Sequence, residues 1–322
     1  MSVSDFALPL TASWPGLRIA VIIPCYNEAV AIPKVIADFR AALPEARIYV
    51  FDNNSHDDTA TVARAAGAEV RRENLQGKGN VVRRAFADIE ADIYVLVDGD
   101  DTYDAASAPA MIDLLTAEHL DMVNGARVTD IAAAYRPGHR LGNLVLTGLV
   151  RMVFGDRISD MLSGYRVFSR RFVKSFPSLA SGFETETEFT VHALDLKMPV
   201  GEIVTKYKDR PAGSVSKLRT YSDGLRILRT IVVLVKEERP LQFFTTMAAT
   251  LAVLGILIGV RVVLDYIATG LVPRLPSAIL ATALEILSFL ALASGLILDS
   301  VSRARKEVKR LAYLAIAGVG AR

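Results

Sequence analysis

Two apolar runs, Phe243 to Ala268 and Ala278 to Leu298, constrain this chain more than anything else in it. Each is long enough to cross a hydrocarbon core of about 30 Å as a helix rising about 1.5 Å per residue. Lipid accepts little else, because backbone groups find no water there to bond with. The short turn from Gly270 to Pro276 predicts a hairpin. Arg303, Arg305, Lys306, Lys309 and Arg310 follow the second run, whereas the turn carries only Arg274, so both ends of the hairpin are expected in the cytoplasm. Arg261, Asp265 and Glu285 are costly in such spans; Arg261 and Glu285 lie at comparable distances from the turn and are expected to pair as a structural clasp. Gly255 and Gly259 make a small-residue face that suits either a second copy of the chain or the hairpin's own packing.

The 322 residues leave room for a large domain ahead of the hairpin, and 22% charged residues exclude wholesale disorder. The mean hydropathy of +0.33 is high, with the apolar excess concentrated after Leu241. A net charge of +2 argues neither for nor against a nucleic-acid partner, and none is expected. The single cysteine, Cys25, excludes internal disulfides and any cysteine-based zinc site; His56, His119, His139 and His192 show no ligand spacing. Met1 to Pro15 has no basic flank followed by an apolar core, so no signal peptide is expected and the first domain should stay in the cytosol.

From Arg18 to about Asn124, β-branched runs alternate with helical patterns, which predicts an open α/β sheet wrapped by crossover helices. The predicted strands are Ile19 to Ile23, Ile48 to Asp52, Glu69 to Arg72, Ile93 to Asp98 and Met122 to Asn124. Between them, Ala31 to Leu43, Thr59 to Gly67, Gly79 to Ile89 and Ala106 to His119 read as helices. Gly138 to Phe154 and Glu184 to Leu196 read as further helices, separated by a segment rich in Ser, Gly and Arg. A last strand, Val200 to Tyr207, leads into the loop Arg210 to Ser214, and Tyr221 to Glu238 reads as an amphipathic interfacial helix. The expected domains are a tail (1–17), a catalytic domain (18–220), the interfacial helix (221–240), two membrane helices (241–300) and a basic segment (301–322).

Chemistry concentrates where predicted strands end. Val95-Leu96-Val97 breaks into Asp98-Gly99-Asp100-Asp101, placing hard oxygen ligands at the edge where open α/β sheets bind ligands. Alone, such a cluster is equally a solvated turn. The first strand ends in Pro24-Cys25-Tyr26-Asn27-Glu28 and the second in Asp52-Asn53-Asn54-Ser55-His56-Asp57-Asp58-Thr59, at the same edge. Asp57 and Thr59 read as the cap of the next helix, whereas Glu28 and Asp52 are placed to face ribose hydroxyls or a base edge. Gly77-Lys78-Gly79 lacks the third glycine of a dinucleotide fingerprint, so no nicotinamide cofactor is expected.

With Gly125-Ala126-Arg127, Ser163-Gly164-Tyr165 and Gly182-Phe183 with Glu188, these segments fall in the order seen in family 2 glycosyltransferases of the GT-A fold. From residue 18 to about 230 the chain resembles their polyprenyl-phosphate group, which includes dolichyl-phosphate mannose synthases. The resemblance implies a Rossmann-like open mixed sheet. It also implies that Pro24, Tyr26, Glu28, Asp52 and Lys78 bind the UDP- or GDP-linked sugar, while Asp98 and Asp100 hold Mg²⁺ or Mn²⁺ on its diphosphate. Arg127 and Arg140 match residues that receive the lipid phosphate, and Arg210, Ser216 and Lys217 match the mobile loop that closes the site. Glu186 and Glu188 cannot share one helix face; Glu188 is the family-matched residue and is expected to orient the donor sugar or the acceptor.

Asn53 and Asn54 stand where many relatives carry Asp and Gly, Asp58 stands where Gly is usual, and Asp101-Thr102-Tyr103 replaces the Leu-Gln-His run of mannose synthases. Neither base nor sugar is thereby specified. The expected activity is inverting, metal-dependent transfer of one sugar from a nucleotide-diphosphate sugar to a polyprenyl phosphate at the inner membrane, with the catalytic domain and both termini cytoplasmic. The rival readings are a processive polysaccharide synthase and a silent membrane scaffold. A processive synthase carries Gln-x-x-Arg-Trp, whereas the only tryptophan here is Trp14, and the acidic cluster and arginines a scaffold could have lost are all present.

Overall fold

The computed structural model describes residues 14–128, 148, 158–182, 184–211 and 220–319. Its strands are Ile19–Cys25 (β1), Arg47–Asp52 (β2), Glu69–Arg72 (β3), Ile93–Leu96 (β4), Met122–Val128 (β5), Arg166–Ser169 (β6) and Val200–Lys206 (β7). They form one sheet in the order β3-β2-β1-β4-β6-β5-β7. β1 pairs in parallel with β2 and β4, so the carboxyl ends of these strands, and of β3 beside β2, lie along one edge. β6 runs antiparallel to both β4 and β5, which makes the sheet mixed.

Helices Ile32–Ala42 (α1), Thr59–Ala65 (α2), Lys78–Asp88 (α3), Ala108–Ala117 (α4), Arg170–Ser175 (α5) and Thr185–Asp195 (α6) cover the two faces. The period-two alternation of β1 decides which side each residue serves. Ile19, Val21 and Ile23 pack with Val35, Ile36 and Phe39 of α1 and with Met111, Ile112 and Leu115 of α4. Ala20 and Ile22 enter the opposite core with Val82 and Phe86 of α3 and with Phe168, Phe172 and Phe189. In that second core Phe168 stacks on Phe172 at 4.6 Å between ring centroids, and Phe189 meets Phe168 at 4.9 Å. Burying each such ring contributes about 1.5–3 kcal/mol, so the aromatic side of the sheet anchors α5 and α6 firmly.

β6 is the strand that hydrophobic patterning does not reveal. It begins with Arg166, the largest fully buried side chain, whose guanidinium donates to the carbonyls of Ser163 (3.1 Å) and Met161 (2.6 Å) and to Thr190 Oγ1 (3.1 Å). Burial lowers its pKa to about 10, so it remains a cation that ties residues 161–163 to α6. β4 ends at Leu96 and β5 extends to Val128, so the acidic turn begins earlier, and Arg127 sits in a strand. The predicted helix Gly138 to Phe154 lies outside the described residues apart from Gly148.

The chain divides into two units: residues 1–229 with 309–322, and residues 230–308. Helix Thr220–Glu238 (α7) precedes Pro240–Thr269 (α8, 30 residues) and Leu275–Leu314 (α9, 40 residues). α8 and α9 are long and apolar enough to cross a membrane. Gly270 ends α8 in the left-handed conformation, and Ser288 Oγ donates to the carbonyl of Ala248 at 2.9 Å, fixing the register of α9 against α8. That register corrects the expected clasp. Glu285 lies against Gly255, with a Cβ at Gly255 falling 2.6 Å from Glu285 Oε1, and no ion pair joins it to Arg261 among the described residues. Arg274 of the turn pairs instead with Asp265 at 3.0 Å. Gly255 and Gly259 both face Ala281, so the small-residue face serves the hairpin's own packing.

Candidate active site

The loops leaving β1 and β2 are stitched together by short polar bonds. Asn27 N–H donates to Ser55 Oγ (2.9 Å), His56 N–H to Asn27 Oδ1 (2.7 Å), and Glu28 N–H to Thr59 Oγ1 (2.9 Å). Asn27 and Asn54 adopt left-handed backbone, which asparagine tolerates, so each loop can turn tightly at the strand end. Cys25 is the register partner of Asp52, whose Oδ1 accepts Ser55 N–H at 3.3 Å. Tyr26 meets the His56 ring edge-on at 6.2 Å. Tyr26, Glu28 and Asp52 therefore gather around one pair of strand ends, with Glu28 and Asp52 both buried. Asp57, on the same stitch, accepts N–H groups from Thr59 and Ala29 (both 3.1 Å).

Asn53 is the organising residue beside them. Its amide donates to the carbonyls of Glu73 (2.9 Å) and Leu75 (2.8 Å), and its carbonyl accepts Gly77 N–H at 2.7 Å. Only an amide offers both donor and acceptor in this way. The unusual Asn at this position thus holds the loop that delivers Lys78.

Beyond β4 the acidic residues diverge in role. Asp98 Oδ1 is 2.5 Å from Lys78 Nζ. Asp100 is buried, accepts Thr102 Oγ1–H at 2.6 Å, and pairs through Oδ2 with Arg210 Nη2 at 2.6 Å. Burial and, next, the charge of Asp98 raise the pKa of Asp100. Asp101, in left-handed backbone, pairs with Lys34 of α1 at 3.1 Å and turns the chain away from the site. Gly164 touches this group closely: a Cβ there would lie 2.5 Å from Asp98 Oδ2 and 2.9 Å from Lys78 Nζ. Tyr103 OH, accepting Gly164 N–H at 2.8 Å, fixes that approach.

The glycines flanking Lys78 have a structural purpose that spacing alone does not disclose. A Cβ at Gly77 would fall 2.1 Å from the Ser181 carbonyl and one at Gly79 2.3 Å from that of Ala180, while Gly79 N–H donates to Ser181 at 3.1 Å. They admit the backbone that leads into α6. Lys78 is consequently also 2.5 Å from Glu186 Oε1, with both side chains buried. Burial alone would lower the pKa of Lys78, but Asp98 and Glu186 outweigh it and raise it. Glu188 turns elsewhere, accepting Ala180 N–H at 2.9 Å. Glu186 is the acidic residue of α6 at the site. Its position could have been read only from the helix phase relative to Lys78, which requires the fold.

Arg127 places Nε and Nη2 on Asp160 (2.7 and 2.9 Å), a bidentate fork, and its guanidinium lies 5.6 Å from the Tyr207 ring centroid. Tyr207 bridges to Tyr103, and Lys208 N–H donates to the Thr102 carbonyl at 2.8 Å, so the strap after β7 is sewn to the acidic turn. That seam is what brings Arg210 to Asp100. Pro24 is the penultimate residue of β1, the register partner of Phe51, and Arg140, Ser216 and Lys217 lie outside the described residues.

The donor chemistry here suits a hard divalent ion: two neighbouring carboxylates, one raised in pKa by burial and then by the other, and each already drawing a cation. Among the described residues no cluster of three or more His, Cys, Asp or Glu side chains forms a protein-only cage. A Mg²⁺ or Mn²⁺ ion held by one or two carboxylates and completed by substrate phosphates fits such a set.

Residues 20–176 match the family described as Glycosyl transferase family 2. Glycosyltransferase AglJ of Haloferax volcanii is 31% identical over 303 residues, covering 92% of this chain and 98% of that protein. A dolichyl-phosphate hexose transferase of the same organism is 28% identical over 221 residues, 69% of this chain and 95% of the relative. The fold matches Mycobacterium tuberculosis glucosyl-3-phosphoglycerate synthase, solved with Mn²⁺, UDP-glucose and phosphoglyceric acid, at a TM-score of 0.55 and 23% identity over 69% of this chain and 79% of that one. The mixed sheet, the acidic turn at its carboxyl edge and these relatives agree: the chain belongs to glycosyltransferase family 2, a sugar-transferring enzyme on a GT-A-like fold followed by two helices that could span a membrane.

Proposed function

We propose that the enzyme transfers one hexose, with inversion, from a nucleotide-diphosphate sugar to a polyprenyl phosphate at the cytoplasmic face of the cell's inner membrane. The observation that carries this reading is chain connectivity: the chain before and after the hairpin unit, residues 1–229 and 309–322, belongs to the one unit that bears Asp98 and Asp100. A hairpin entered and left from one unit returns to the side it started from, as the basic residues Arg303 to Arg310 toward the end of α9 also favour. A water-soluble acceptor gives a chain no reason to carry such an anchor. The name of the Haloferax dolichyl-phosphate hexose transferase supports the same acceptor class.

In this reading Tyr26, Glu28 and Asp52 hold the nucleoside, and Pro24 shapes the loop that presents them. Asp98 and Asp100 would hold Mg²⁺ or Mn²⁺, which when bound offsets the charge that builds on the leaving diphosphate. Lys78 supplies a fixed positive charge beside the same phosphates. The acceptor needs no general base, because a phosphomonoester is already an oxyanion near neutral pH, its second pKa being about 6. Its oxygen attacks the anomeric carbon as the bond to the nucleotide diphosphate breaks. Arg127 meets the incoming phosphate with the edge not engaged by Asp160, and Arg210 joins it by leaving Asp100. Arg140, Ser216 and Lys217 complete the acceptor site, and Glu188 supports the turn at residues 179–180 that frames it.

The test is transfer of radiolabel from a panel of UDP- and GDP-sugars into organic-extractable lipid, using the purified chain with added polyprenyl phosphate. Label should enter an acid-labile lipid with one donor, and EDTA should stop it. Absence of lipid product with every donor, or transfer to a soluble acceptor instead, would overturn the acceptor assignment.

A further inference from the structure

Lys78 has two carboxylate partners where one would suffice. Its ammonium lies 2.5 Å from Asp98 Oδ1 and 2.5 Å from Glu186 Oε1, and its side chain is only 7% exposed. Asp98 is 31% exposed at the edge of the site, whereas the Glu186 side chain is 5% exposed and its second oxygen, Oε2, has no hydrogen-bond partner. The two anions are therefore not equivalent. The inner one is locked, because α6 and the Gly77–Gly79 segment approach at backbone distance and leave Lys78 and Glu186 no room to part. The outer one is partly open to solvent.

We propose that Glu186 is a positioning residue: it retains Lys78 so that Asp98 can exchange its lysine for a divalent ion while the ammonium stays beside the donor diphosphate. The inference rests on the reading of Asp98 as a metal ligand given above. Its physical basis is that a buried ammonium cannot be left without a counter-charge, since breaking a buried pair is strongly unfavourable. With Glu186 neutralised, Asp98 becomes the sole carboxylate partner of Lys78, and an arriving cation must compete with the lysine for it. Glu186 neither touches the reacting atoms in this scheme nor accepts a proton from the acceptor.

The experiment measures Mn²⁺ binding to the full chain in detergent by electron paramagnetic resonance, with UDP or GDP present, alongside thermal melting to verify folding. E186Q should bind Mn²⁺ about tenfold more weakly than wild type, within the usual range of coupling between sites. K78Q and the double variant K78Q/E186Q should bind it equally, because Glu186 acts only through Lys78. Unchanged Mn²⁺ affinity in a folded E186Q would overturn the inference. So would a double variant weaker than K78Q, which would make Glu186 a direct ligand; that comparison also decides the matter if E186Q alone does not fold. Wild-type protein that binds no Mn²⁺ with either nucleotide would instead remove the metal reading on which the inference rests.

Discussion

Gly164→Ala tests whether the place of Asp98, and not merely its charge, matters. The added methyl would start 2.5 Å from Asp98 Oδ2 and 2.9 Å from Lys78 Nζ, and ordinary contact begins near 3.4 Å. The Asp98 oxygen must therefore retreat by about 0.9 Å, the scale of misplacement that costs about 100-fold in rate when a catalytic group is involved. Lys78 Nζ, the end of a flexible side chain, must yield by about 0.5 Å as well while staying paired with Glu186, whereas Asp98 is partly exposed and can swing outward. The fold should tolerate that swing, so the melting temperature should change little. The assay is kcat/KM for label transfer into lipid, read beside Mn²⁺ affinity: both should fall, the first by roughly two orders of magnitude. A folded variant with wild-type kcat/KM would refute the reasoning, because Asp98 would then work equally well from a displaced position.

Three other outcomes follow from particular contacts. Asp100→Ala should abolish lipid-linked product while the chain still folds; wild-type turnover would remove Asp100 from the metal site. Tyr313→Phe deletes a 2.8 Å bond from Tyr313 to buried Asp121, worth about 2 kcal/mol or roughly 4–8 °C in melting temperature. Because burial and then Asp121 push the Tyr313 pKa up to about 12, the neutral phenol's stabilisation is complete below about pH 10 and is lost as pH rises toward 12. Wild type should thus lose its advantage over the Phe variant across that window, seen by melting at stepped pH. His192 is buried against Phe172 and Phe176, and its pKa is lowered to about 3, chiefly by burial. It stabilises the fold above about pH 6.5 and loses that contribution as pH falls toward 3, so His192→Gln should flatten the acid limb of the melting profile.

The elements legible in the sequence are those whose burial pattern is local. β1 and β2 read as strands because the apolar residues on both faces leave a continuous run, and α1 because Ile32, Val35, Ile36 and Phe39 recur at helical spacing. β6 was hidden because its stability is not local: Arg166 becomes a core residue only when carbonyls from residues 161 and 163 and a hydroxyl from α6 converge on it. The expected Arg261–Glu285 pair failed for a related reason. Counting residues back from a turn assumes symmetric entry of the two helices, while Ser288 bonding to Ala248 and Glu285 meeting Gly255 set a different offset.

The site shows the same division one level higher. The acidic turn could be located from residues alone, since a strand that stops at clustered carboxylates declares itself, but the partners of those carboxylates could not. Glycines beside Lys78 leave room for a close approach; in the fold, the backbone of Ala180 and Ser181 makes that approach and carries Glu186 in with it. Asn53, a departure from the common acidic pattern, bonds to the loop ahead of Lys78 at Glu73, Leu75 and Gly77. Each substitution that looked like a change of substrate preference must therefore first be tested as a change of scaffold. Asp101 illustrates the outcome: with its side chain on Lys34 of α1 and its backbone in the left-handed region, it shapes the acidic turn. That third carboxylate, bound to Lys34, is then a scaffold residue before it is a determinant of sugar choice.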